Sequence, residues 1–109
     1  MNKLLKTIFN EINIPSFYAI RPEECTYCII YFFNEFTGAI SDLKEERTKF
    51  DIYINFITDK ENINKDVNII KKVLEDNNFY KVKINSPIKF EDLDFFQITM
   101  NYEKSINNY

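Results

Sequence analysis

Apolar positions alternate along several stretches of this chain and recur at helical spacing along two others. In Lys49–Thr58, Phe50, Ile52, Ile54 and Phe56 fall on one side and Asp51, Tyr53 and Asn55 on the other. That period of two marks a half-buried strand. Tyr27–Phe36 precedes it, equally dense in the Ile, Tyr and Phe that suit a pleated surface. Together they predict a long antiparallel hairpin with one packed face and one wet face. Phe79–Ile84 predicts a short strand, with Tyr80, Val82 and Ile84 on one face and Lys81 and Lys83 on the other, ended by Pro87. Asp94–Glu103 predicts the last strand: Phe96, Ile98, Met100 and Tyr102 face one way, Gln97, Thr99 and Asn101 the other.

Leu4, Leu5, Ile8, Phe9 and Ile12 recur three and four residues apart, which predicts an amphipathic helix ended by Pro15. Ile63, Val67, Ile70 and Leu74, widened by Ile69 and Val73, predict a second helix. Asn62 or Asn64 caps its start, and Asn77–Asn78 supplies a left-handed stop in place of glycine. Ser16–Glu24 reads as an extended connection pinned by Phe17 and Tyr18. The expected fold is therefore α+β in one domain over residues 1–104, in the order α-β-β-α-β-β. Its mostly antiparallel four-stranded sheet carries both helices on one face, and residues 105–109 form a frayed, disordered tail. The polar stretch Thr37–Thr48 is too long for a tight hairpin turn. It is either a projecting loop or an extension of both strands beyond the sheet.

Composition narrows the function classes. The chain of 109 residues is 45% hydrophobic and 17% aromatic, enough for a single buried core. With one Gly and three Pro, its turns rely on Asn, Asp and Ser, and no glycine-rich phosphate loop is available. A net charge of −3 and only two arginines, Arg21 and Arg47, argue against a general nucleic-acid binder. Lys71, Lys72, Lys81, Lys83 and Lys89 make the second half locally basic, but Glu75, Asp76, Glu91, Asp92 and Asp94 offset them. No apolar run has the length of a membrane span, and the start Met1–Lys6 lacks the pattern of a signal peptide. A cytosolic protein with reduced thiols is the expectation.

Candidate chemistry is sparse. The chain has no histidine, which removes the usual general base and the histidine-dependent triads. Cys25 and Cys28 have redox or zinc spacing, yet they lead into a strand rather than a helix. An extended segment points them to opposite faces, so a core Cys28 and an incidental Cys25 are expected. Glu23–Glu24, Asp42 with Glu45–Glu46, and Glu91–Asp92 with Asp94 read as solvated surface, and Ser41 and Ser86 have no activating partner. No enzyme activity, cofactor or metal is expected. What remains is surface pattern: Tyr31, Phe33, Tyr53 and Ile57 are placed opposite the presumed core, where aromatics suggest a partner surface.

The order of these segments carries a resemblance. The Leu4–Ile12 helix is followed by Ile14-Pro15-Ser16-Phe17-Tyr18, the apolar run Cys28–Phe33 and an acidic hairpin end. The strand Phe50–Asn55, with its Asp-Ile-Tyr step, a helix, the Asn78-Phe79-Tyr80 step and a final strand pair follow. This order resembles the tail terminator (tail completion) proteins of tailed bacteriophages and prophages, over roughly residues 2 to 103. Asn78 stands where relatives often carry glycine. The resemblance implies a structural protein that forms a ring, typically hexameric, on the head-proximal end of the tail tube. The ring ends tube polymerisation and offers a docking surface to the head. The implied partners are further copies of the chain, the tail tube protein and a head-completion or neck protein; nucleic acid enters only as DNA passing through the ring lumen. The implied location is the host bacterial cytoplasm during assembly, then the virion tail or a phage-tail-like particle. Asp42, Glu45, Glu46 and Arg47 at the hairpin end would set register against a neighbour or the tube, with Tyr31, Phe33 and Tyr53 as contacts between subunits. Two other readings are carried: a small intracellular adaptor or inhibitor that binds a protein through its open sheet face, and a weak nucleic-acid-binding module using the second-half lysines.

Overall fold

In the computed structural model, eight elements follow one another among the described residues: α1 (Asn2–Glu11), β1 (Ser16–Tyr18), β2 (Cys28–Ser41), β3 (Lys44–Thr58), α2 (Ile63–Asp76), β4 (Tyr80–Ile84), β5 (Ile88–Lys89) and β6 (Phe96–Asn107). The structure describes residues 1–22, 25–41, 44–59, 63–89 and 95–107, with backbone alone for 37–41, 44–46 and 107.

The fold is α+β, as the periodicities imply, but among the described residues the sheet has six strands rather than four. Their order is β1-β2-β3-β6-β4, and β5 also pairs with β6. The two additions are β1 and β5, three and two residues long, too short to show an alternation in sequence. β1 pairs parallel with β2, from Ser16 opposite Ile29 to Tyr18 opposite Tyr31. The other pairings are antiparallel.

The predicted hairpin is β2 and β3, and it is longer than the apolar runs. Both strands continue through the polar stretch, with register shifts between Thr37 and Ile40. Of the two alternatives for that stretch, the strand extension is the one observed. β6 follows β3 up to Asn107 opposite Arg47, so pairing continues through Ser105, where the sequence suggested a frayed tail. Strands of this length give a body of 54 × 24 × 23 Å.

Both helices pack on one face of the sheet. Leu5, Ile8 and Phe9 of α1 and Ile70 and Leu74 of α2 share a buried cluster with Ile29, Tyr31, Ile52, Ile54, Phe56, Ile98, Met100 and Tyr102. α1 stops before Pro15, at Ile12, and Asn13 turns the chain with φ of 58°. α2 stops as its asparagines suggest. Asn78 has φ of 65°, and the Phe79 N–H reaches back to the Leu74 carbonyl at 3.0 Å. Phe79 is then buried beneath Lys104, whose ammonium lies 4.9 Å from the ring centre and donates to the Asn77 carbonyl at 2.9 Å.

β4 corrects one expectation. Tyr80 pairs with Glu103 and Ile84 with Met100, and a bulge at Val82 separates them. The extra residue reverses the alternation, so Tyr80 and Ile84 lie on opposite faces rather than together.

Two measurements test this packing. Phe56→Ala should cost about 3–5 kcal/mol in urea unfolding, whereas Phe32→Ala on the far face should cost about 1 kcal/mol or less. Alkaline pH is the second lever. Burial, then the charge and hydrogen bond of Asp66 and the charge of Asp59, push the Tyr27 hydroxyl up to about 12. Burial, then the charge of Glu75, does the same for Tyr102, also to about 12. Both folded values lie above the unfolded value near 10, so their stabilisation is intact below that pH and is lost as pH rises towards 12. Unfolding midpoints should fall across that window and change little below it, with tyrosinate absorbance appearing late in the native protein.

Candidate functional site

With the helices on one face, the other sheet face is covered, among the described residues, at one end. Which side chains reach it follows from the register. Cys28 pairs with Ile57, Ile30 with Asn55, Phe32 with Tyr53 and Asn34 with Asp51, and β6 continues these rows through Gln97, Thr99, Asn101 and Glu103. Residues directly opposite share a face. This face therefore carries two aromatics near its middle in a field of short polar side chains.

The covered end is a second small core. Cys28, Ile30, Ile57 and Phe95 are buried together, with Phe17 and Cys25 packed against them. Its cover comes from Phe17 of β1, from Arg21 and Cys25 in the connection to β2, and from Phe95 just before β6. The Arg21 guanidinium lies 5.2 Å from the centre of the Phe95 ring and donates to the Cys25 carbonyl at 2.8 Å. Cys25 and Cys28 form a disulfide. An extended segment, as expected from sequence, would keep both as free thiols on opposite faces. The chain instead bends at Thr26 and Tyr27 before β2 begins, which brings their Cα atoms to 6.3 Å.

The uncovered part begins at Phe32. Its ring stacks on Tyr53 at 5.2 Å with 15° between the planes. Phe32 is 39% exposed and Phe36, four residues on along β2 and on the same face, is 48% exposed. Around them the polar groups bond within the sheet. The Thr99 hydroxyl donates to Asn55 Oδ1 at 3.0 Å, the Asn101 amide to the Ile52 carbonyl at 3.0 Å, and Lys49 pairs with Glu103 at 3.3 Å. That ion pair is about two-fifths exposed to solvent and contributes little stability. A flat face of stacked rings, short amides and balanced charge suits contact with another protein surface.

The eight residues singled out from sequence divide. Tyr53 lies on the open face as expected, half-buried in the stack. Ile57 lies on the same face but is buried, 2% exposed, beneath Phe95 and its neighbours. Tyr31 and Phe33 were misplaced: they pair with Ile54 and Ile52 and face the helices. Tyr31 is 1% exposed, its ring 5.6 Å from Phe9, and its hydroxyl donates to Asn2 Oδ1. Phe33 packs on Phe50 at 5.8 Å. The physical reason is that Cys28–Phe33 is apolar on both parities, so alternation could not fix the face. Phe32 and Phe36, one residue out of phase, were missed for the same reason. Arg47 is exposed, opposite Asn107, the last described residue of β6. Asp42 and the side chains of Glu45 and Glu46 lie outside the described residues.

No family model, curated protein or solved structure matches this chain.

The disulfide closes a ring of only a few residues, and Cys28 also packs in the small core with Ile30 and Ile57. Reduction should therefore cost about 2 kcal/mol or less. Limited proteolysis with and without dithiothreitol checks this: cleavage should move into residues 19–27 on reduction, while the strands stay protected.

Proposed function

We propose that this chain is a structural assembly protein that forms a ring, typically of six copies, on the head-proximal end of a phage or prophage tail tube. In this reading the ring ends tube polymerisation and gives the head or neck its docking surface. One ring face complements the last tube ring, and the other cannot template a further tube subunit. The protein acts in the host cytoplasm during assembly and stays in the virion tail or a tail-like particle. Its partners are further copies of itself, the tube protein and a neck protein, and DNA only passes through the lumen. It has no catalytic task.

The observation that carries this reading is the pairing of a long β2–β3 ribbon with an uncovered sheet face on so small a domain. Those are surfaces a lone monomer does not need and a ring subunit does. The order of elements, which resembles that of tail terminators, supports it. The stacked Phe32–Tyr53 pair on that face favours a second reading, a small adaptor or inhibitor that docks a single protein there.

Deleting the gene from the phage or prophage that encodes it separates the two. Overlong or headless tails in negative-stain micrographs, restored by supplying the protein, are expected. Tails of normal length joined to heads would remove the capping role and leave the adaptor.

A further inference from the structure

We propose that the free edge of β2, from Phe32 to Phe36, pairs with β4 of a second copy of this chain, joining copies head to tail through one continuous sheet. The open edge follows from the backbone. The Ile29 N–H donates to the Pro15 carbonyl at 2.8 Å, and the Ala19 N–H donates to the Tyr31 carbonyl at 2.9 Å. Odd-numbered residues of β2 thus turn their N–H and C=O groups away from β3. β1 ends opposite Tyr31. The next such residues, Phe33 and Glu35, have no strand beside them among the described residues. Between Phe32 and Phe36 there is no proline, lysine or bulge to discourage pairing, and three of the five residues are phenylalanine.

β4 is the matching piece. Among the described residues it pairs only with β6, it has five residues, and four of them are exposed. It runs antiparallel to β2, because β2, β3, β6 and β4 reverse direction at each step. It is also level with the open edge. One row of the sheet reads Asn34, Asp51, Glu103, Tyr80, and another reads Phe32, Tyr53, Asn101, Lys83. Rotation about an axis along the strands therefore brings β4 of the next copy alongside β2, antiparallel and with its faces matched.

A perfectly level approach would set Ile84 of the next copy opposite Tyr31, where Tyr18 of β1 already lies. A stagger of two residues clears β1 and keeps every side chain on its face. Tyr80 then lies opposite Phe36, Lys81 opposite Glu35, and Ile84 opposite Phe33. The first pair covers two rings that are 68% and 48% exposed in one copy, and the second joins opposite charges. The lysines and bulge of β4 deter indiscriminate pairing, and a strand carrying glutamate at the right row satisfies them. Because two different edges meet, the contact is directional; with this stagger it closes into a ring when the strands tilt to the ring axis and otherwise runs on as an open helix. Closure is the one point that rests on the assembly reading above.

Cysteines at rows 36 and 80 test the pairing, in the chain that keeps its own disulfide. Phe36→Cys mixed with Tyr80→Cys and oxidised with copper phenanthroline should give a covalent dimer, and the double variant should give a ladder of head-to-tail species. Phe36→Cys linking to itself as readily, or no covalent species at any protein concentration, overturns the proposal. A second measurement avoids new thiols. Lys81→Glu should weaken self-association about fivefold in sedimentation, and adding Glu35→Lys should restore it. Equal weakening in the double exchange counts against the register. Cross-linking with normal tails in the deletion strain keeps this contact and drops the capping role, whereas overlong tails without 36–80 cross-links do the reverse.

Discussion

The register of β2 on β3 is the constraint on which the rest of this structure depends. Aligning Tyr31 with Ile54 sends Ile29, Tyr31 and Phe33 to the side where β3 already presents Phe50, Ile52, Ile54 and Phe56. That side becomes apolar enough to hold two helices. A slip of one residue would exchange the faces of a whole strand. It would place Cys28, Ile30 and Phe32 under the helices and strip the small core of its disulfide cover. Tyr31 holds the arrangement in place. Its ring meets Phe9 of α1 and Tyr18 of β1, and its hydroxyl engages Asn2.

The asymmetry of the two faces follows from that register. One face is sealed along the body by α1 and α2. Among the described residues, the other is sealed where Phe17 and Cys25 pack on Cys28, Ile30, Ile57 and Phe95. Cover ends near Phe32, which is also where β1 ends beside Tyr31. An open face and an open edge therefore meet at one place, around Phe32 to Phe36. A partner that engages either finds the other within reach.

Much of this was legible in the sequence, for physical reasons that can be named. The 3.6-residue spacing of Leu5, Ile8 and Phe9, and of Ile70 and Leu74, is strong because the opposing faces are polar. β3 and β6 alternate cleanly, so their buried sides followed directly. Asn78 could be read as the stop of α2 because few other residues tolerate its positive φ. β2 was different. Cys-Ile-Ile-Tyr-Phe-Phe is apolar on both parities because its two faces meet two separate cores, Ile29 and Tyr31 in one and Cys28 and Ile30 in the other. No periodicity reveals which parity belongs to which core. That is why Tyr31 and Phe33 were assigned to the surface and Phe32 and Phe36 overlooked. β1 and β5 were missed because two or three residues cannot show a period. The bulge at Val82 was hidden because it alters pairing without altering composition.

The continuous pairing of β3 with both β2 and β6 also bears on mechanics. The hydrogen bonds of an antiparallel ladder lie across the strands. A pull along the ribbon axis therefore loads many of them together in shear, whereas a pull across it would open them one at a time. β6 accompanies β3 up to Arg47, so the ribbon is backed by a third strand for most of its length. A subunit built this way resists axial tension far better than peeling, and a load entering near Arg47 passes into the centre of the sheet rather than bending a loop.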